Sequence, residues 1–236
     1  MAVVEFTVPL ALMRAMSRNT LFEPPPTGLG DCARLVPVPY EAAWRALGDR
    51  AYPGVTGTFV HPFDDQNFIA GHSTMGFEIL EDAPDTVAVI AAIGGGGLIT
   101  GVGSALKALK PAIKVWGVEP ETAAPTALSF SMGSPQVFKD WKASFVDGAG
   151  GQSLFPRMWE RLKPVVDGAI VVSLEQTKEA MRMLAEKARV IAEGAGSLSL
   201  AAALTGKAGP GPIVAVVSGG NIDMAKFCDL VSSPAH

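Results

Sequence analysis

The chain has 236 residues, 48% of them apolar and 18% charged. That is enough for one large α/β domain or two small ones around a sizeable core. A net charge of −4 without a basic stripe gives nucleic acid little to hold. Two cysteines, Cys32 and Cys228, far apart and without CxxC spacing, argue against a disulfide scaffold or structural zinc and for a reducing compartment, so the cytoplasm is the expected location. The apolar opening is interrupted by Glu5, Pro9 and Arg14, which argues against a signal peptide, and no stretch approaches a membrane-spanning length.

From Met1 to about Thr27 the chain has no apolar period, and "LFEPPPTGLGD" reads as a linker or irregular arm with no role in binding. From Asp31, "RLVPVPYEAAWRALGDR" predicts a short extended piece and one amphipathic helix. Five β-branched runs then read as strands buried on both faces: residues 58–63, 86–93, 113–120, 169–173 and 212–218. Between the second and third, Leu98, Val102, Ala105, Leu106 and Leu109 define one helix face, and Pro111 stops the helix. Between the fourth and fifth, Leu174 to Leu204 is too long for one uncapped helix, and Glu193-Gly194-Ala195-Gly196 divides it. Strand, helix, strand in this rhythm predicts a three-layer α/β fold, a parallel sheet with helices on both faces.

Four glycines, Gly94 to Gly97, stand where the second strand gives way to a helix. A strand that ends in glycines and opens a helix presents free amides at the positive end of the helix dipole, an arrangement suited to phosphate. One or two glycines would suffice for a tight turn alone. G-x-G-x-x-G spacing is not met by Gly94, Gly95, Gly96, Gly97, Gly101 and Gly103, and G-x-x-x-x-G-K-[ST] fails because Val102 stands where the lysine belongs. Glu119 closes the next strand at about the distance of a ribose-binding acid, so a dinucleotide-binding domain stays open as an alternative. His61, Asp64 and Asp65 in "HPFDD" have metal-binding side chains, but the stretch reads better as a turn and helix N-cap. Met181, Met183 and Leu184 read as core.

The stretches "GTFVHPFDDQNFIAGHSTMGFEIL", "GGGGLITG", "KVWGVEPE", "VIAEGAGSLSLAAAL" and "VVSGGNID", in this order, resemble the threonine dehydratase and serine racemase family of pyridoxal-phosphate (PLP) enzymes, fold type II. The similarity covers about Gly28 to Val231. It implies that Gly94, Gly95, Gly96, Gly97 and Leu98 hold the PLP phosphate and that Ser218 faces the ring nitrogen. Gly219 and Gly220 would let the backbone pass close to the ring, and Glu193 would lie near the cofactor. It also implies a divalent-cation site at Glu119, although Pro125 replaces the carboxylate usually found six residues on. Residues 28–57 would be a remnant of the family's small domain and residues 58–236 its large domain.

The family's Schiff-base lysine lies in an S-x-K-x-R-G-A segment, and no lysine precedes Lys107 here. None of the chain's ten lysines sits in such a segment, so the catalytic residue is not assigned. Lys107, Lys110, Lys178 and Lys187 are expected on solvated helix surfaces. The family's S-S-G-N-H substrate loop is absent too. A shortened or misjoined reading frame and a half-enzyme that needs a partner both fit. The resemblance implies deamination of L-threonine, L-serine or a related hydroxy amino acid to a 2-oxo acid and ammonia by a homo-oligomeric lyase. This chain alone is expected not to deaminate serine or threonine at a rate typical of the family. The alternative is a non-catalytic module that keeps a phosphate pocket.

Overall fold

The computed structural model describes residues 38–55 and 58–232, and the chain forms two compact units divided between Asp65 and Gln66. The expectations for residues 1–37 lie outside the described residues.

In the first unit, α1 (Tyr40–Asp49) is the amphipathic helix expected, with Ala43, Ala46 and Leu47 buried. The run 58–63 is not a strand. Its chain turns at the buried His61, whose Nδ1 accepts from the amides of Phe63 (3.3 Å) and Asp64 (2.9 Å). Pro62 has no amide to give a ladder. Phe59 and Phe63 set ring edges against the imidazole, with centroids 6.2 and 4.5 Å away. Arg50 pairs with the Asp64 carboxylate at 3.0 Å. This is the turn that "HPFDD" suggested.

The second unit contains α2 (Gln66–Asp82), β1 (Ala88–Ala92), α3 (Gly97–Leu109), β2 (Lys114–Pro120), α4 (Pro125–Met132), α5 (Pro156–Leu162), β3 (Gly168–Val172), α6 (Leu174–Met183), α7 (Gly194–Leu204), β4 (Ile213–Ala215) and α8 (Met224–Ser232). The four strands are parallel, in the order β3-β2-β1-β4. Ala88 is level with Lys114 on one side and with Ile213 on the other. β1 is buried along its whole length, as a strand covered on both faces should be. Its residues alternate: Ala88 and Ile90 pack with Leu198 and Ala201 of α7, while Val89 and Ala91 pack with Val102 and Leu106 of α3. Four of the five predicted strands are present. The last is shorter than expected, ending at Ala215 with one further bond from the Val216 amide to Ile90.

Val102, Ala105 and Leu106 of the expected α3 face are buried and Leu98 packs half-buried beside them; Ile99 joins the stripe, and Leu109 is exposed. The expected helix from Leu174 is divided as predicted. α6 begins in a capping box between Ser173 and Gln176 and runs into a π-helical turn at Leu184–Ala188, which stops at Arg189 (φ 61°). α7 starts afresh after Glu193.

Candidate functional site

The parallel strands point their C-terminal ends to one edge of the sheet, and β1 and β4 deliver the two candidate segments there. Successive connections run from β1 outward through β2 to β3, whereas β4 lies on the opposite side of β1. The order therefore reverses between β1 and β4, and in open parallel sheets such a reversal leaves a crevice beyond the strand ends. Gly94 follows β1 into that crevice, and Ser218 follows β4 two residues after its last bond to β1.

Residues 94–96 form a bend outside regular structure, and α3 opens at Gly97. Gly96 is the N-cap, at φ 91°, a conformation glycine adopts without strain. Its carbonyl accepts from the amide (3.1 Å) and hydroxyl (2.7 Å) of Thr100, which fixes the first turn. Among the described residues no protein group accepts from the amides of Gly94 to Ile99. Unpartnered helix N-terminal donors beside backbone without side chains form an anion cradle.

The cradle is walled by a loop that the sequence did not single out. A methyl group at Gly94 would lie 2.8 Å from the carbonyl oxygen of Gly148, so only glycine permits this approach. The Gly150 amide donates to the Ile93 carbonyl at 3.0 Å and ties the loop to the end of β1. Beyond Gly148 stands Glu193, and Glu193 in turn abuts Gly219, whose carbonyl accepts from the Glu193 amide at 3.1 Å. Gly196 faces the same backbone, where a methyl would sit 2.9 Å from the Gly219 amide nitrogen. Gly94, Gly148, Glu193 and Gly219, over a hundred residues apart at the extremes, thus form one continuous run of contacts. The cluster "DGAGG" at 147–151 was the available signal for this loop, but the strand-helix rhythm could not place it.

Ser218 is exposed, and among the described residues no protein group bonds its hydroxyl. Glu193 does not cap α7 with its side chain. Burial, and then the nearby Asp147 carboxylate, raise its pKa; Lys226 and the Asn221 amide oppose the shift. Lys226 Nζ lies 3.6 Å from Asp147 Oδ2.

Other candidates fall elsewhere. Glu119 is buried, and its two carboxylate oxygens accept from the Thr126 and Ala127 amides, each at 2.9 Å. It serves the N-terminus of α4, leaving a dinucleotide ribose no acid at this position. Among the described residues no group of three or more His, Cys, Asp or Glu is arranged to hold a metal ion. Lys107 and Lys110 are not on a freely solvated surface. Lys107 bonds the Ile113 carbonyl and Asp167, both at 2.7 Å, and Lys110 bonds the Pro84 and Thr86 carbonyls at 2.8 Å. These anchors lie at the N-terminal ends of the strands, opposite the glycines. Lys178 pairs with Glu175 along α6. Among the described residues no helix is long and apolar enough to cross a membrane.

A family profile described as "Pyridoxal-phosphate dependent enzyme" matches residues 30–219. An L-threonine ammonia-lyase of Thermotoga maritima is 41% identical over 186 residues, covering 78% of this chain and 45% of that protein. Two solved structures share the fold. A processed threonine deaminase isoform from Solanum lycopersicum matches with TM-score 0.74 and 29% identity, over 85% of this chain and 59% of its own. A maize serine racemase matches with TM-score 0.68 and 32% identity, over 73% and 56%. The chain spans about half the length of the curated relatives it matches. The parallel sheet with its switch-point glycines is thus the frame of a known architecture, and the chain belongs to the family of pyridoxal-phosphate dependent enzymes.

Proposed function

We propose that this chain carries the phosphate-holding and ring-facing part of a PLP-dependent ammonia-lyase site for L-threonine, L-serine or a related hydroxy amino acid. The observation that carries the reading is the set of unpartnered amides from Gly94 to Ile99 at the β1–β4 switch point. Those of Gly94 to Leu98 hold the phosphate. PLP, when bound, supplies an aldehyde and an electron-withdrawing ring that stabilises negative charge at the α-carbon of an amino acid.

The chain's own residues tune that environment. The Ser218 hydroxyl offers the ring nitrogen a hydrogen bond without a full charge, so the nitrogen stays largely unprotonated. Gly219 keeps the following backbone free of side chain. Glu193 holds a carboxyl group next to Gly219 whose proton affinity is raised by burial and by Asp147. No comparable feature supports Glu119 as a cation ligand, since both its oxygens are engaged by α4. The covalent base is another matter. The chain lacks the S-x-K-x-R-G-A segment, and Lys107, Lys110 and Lys114 are bound at the far end of the strands. The 236 residues by themselves therefore bind PLP reversibly without deaminating threonine or serine at a rate typical of such enzymes, since even small misplacement of a reacting group loses about a hundredfold.

The test is to incubate the purified chain with PLP, reduce with borohydride, digest, and measure ammonia release from L-threonine and L-serine in parallel. Saturable binding that Gly96→Val abolishes, with no steady turnover, is expected. Failure to bind PLP would overturn the site. One lysine labelled stoichiometrically, with turnover lost on its replacement, would overturn the statement about activity.

A further inference from the structure

Two carboxylates belong to the segments that wall the phosphate cradle. The Gly148 carbonyl lies against Gly94, Asp147 is the residue just before it, and a methyl at Gly148 would be 3.5 Å from Glu193 Oε1. A phosphate dianion at Gly94 to Leu98 would add its charge beside the loop that carries Asp147 and abuts Glu193. Among the described residues one cation answers them: Lys226, on the first turn of α8, reaches Asp147 at 3.6 Å. The backbone places it there. Asp223 Oδ1 accepts from the Ala225 (2.9 Å) and Lys226 (3.1 Å) amides, so that carboxylate is spent on its own helix. The groups facing Glu193 are then Asp147 from the 147–151 loop, Lys226 from α8 and the Asn221 amide.

We propose that Lys226 is a positioning residue for the phosphate ligand: by pairing with Asp147 beside Glu193 it offsets the two carboxylates, so that a dianion binds while Glu193 keeps its charge. This rests on the reading of the glycine loop as a phosphate site. Without the ammonium, a bound dianion and two carboxylates would share one small region, and the cheapest relief would be to put a proton on Glu193. Lys226 thereby decouples ligand binding from proton uptake. The pair is half exposed, so it contributes little to folding, and its effect belongs to the ligand.

The experiment measures PLP and inorganic phosphate affinity of the full chain by calorimetry at pH 5.5 and pH 8, in buffers of different ionisation enthalpy to count protons taken up. Lys226→Met should weaken binding about two- to fivefold at pH 8, by the Coulomb energy of one charge at such distances near the surface. It should weaken binding less at pH 5.5 and add proton uptake at intermediate pH. Lys226→Arg should restore the wild-type pattern, and Glu193→Gln in the Lys226→Met background should remove the added uptake. The unfolding midpoint should not move. Wild-type protein that binds neither probe overturns the phosphate site and this inference with it. Wild-type binding that Lys226→Met leaves unchanged, or reduces equally at both pH values with a lowered midpoint, overturns this inference alone.

Discussion

Glu119 shows how one side chain can take a place the sequence assigns differently. Ending a strand beside a glycine-rich turn, it has the position of a ribose-binding or metal-binding acid, and nothing local says otherwise. In the fold it is buried with both oxygens on α4 amides, and burial, only partly opposed by those amides, raises its pKa from 4.5 to about 7. The raised value means that the folded chain binds this proton more tightly than the unfolded chain. The resulting stability is fully present below about pH 4.5 and is lost as pH rises through about 7, a swing on the order of 3 kcal/mol. The stability difference between wild type and Glu119→Gln, from urea unfolding, should therefore shift against the wild type as pH goes from 4.5 to 8. A difference that is flat across this window would show that the carboxyl stays ionised. Asp167 moves the other way. Burial raises its pKa, but bonds from Lys107, Lys114 and the Val115 amide outweigh that and lower it overall. Neither shift was legible in the sequence, because Asp167 meets Lys107 only across sixty residues of chain.

At the scale of elements, α2 and α3 approach so closely that glycine becomes the better helix residue. A methyl at Gly76 would lie 2.8 Å from Ala105 Cβ and 2.9 Å from the Val102 carbonyl oxygen; one at Gly101 would lie 2.7 Å from His72 Cβ and abut the Ile69 carbonyl. In an exposed helix, Gly→Ala gains about 1 kcal/mol. Here the neighbours include backbone that cannot yield, so Gly101→Ala and Gly76→Ala should each destabilise by about 1–3 kcal/mol in denaturant titrations, the overpacking penalty winning. A stabilising Gly101→Ala would mean that the helices separate at little cost. The same contact explains why the stripe of α3, right at Val102, Ala105 and Leu106, differs from the expected one at its ends. Spacing alone allows Leu98 or Ile99 to lead it, and only the pose of α3 between α2 and the sheet buries Ile99 and leaves Leu109 in water. By contrast the break before α7, the strand β1 and the glycine turn were legible, since each is a local pattern of apolar period and glycine.

At the scale of the molecule, the cradle joins the end of β1, the 147–151 loop, the start of α7 and the segment after β4, so a ligand there should stabilise the second unit as a whole. With PLP at a hundredfold its dissociation constant, linkage predicts about 2.7 kcal/mol of added stability. Differential scanning of the full chain with and without PLP should show a raised midpoint that Gly96→Val loses. A rise of equal size in that variant would place the ligand elsewhere. By itself the sequence determined the α/β class, four of its strands, the split between α6 and α7 and the glycine turn into α3, because each depends on residues within one or two turns of one another. The turn at His61 in place of a strand showed the limit of that locality, since β-branched and aromatic residues also suit a turn stapled by an imidazole. What only the tertiary structure decided is which distant pieces meet: Gly148 against Gly94, Glu193 against Gly219, Lys226 beside Asp147. Those meetings follow from strand order. Placing β4 on the far side of β1 opens the crevice that collects them, and strand order is settled by packing two apolar faces at once, which no single stretch of sequence encodes.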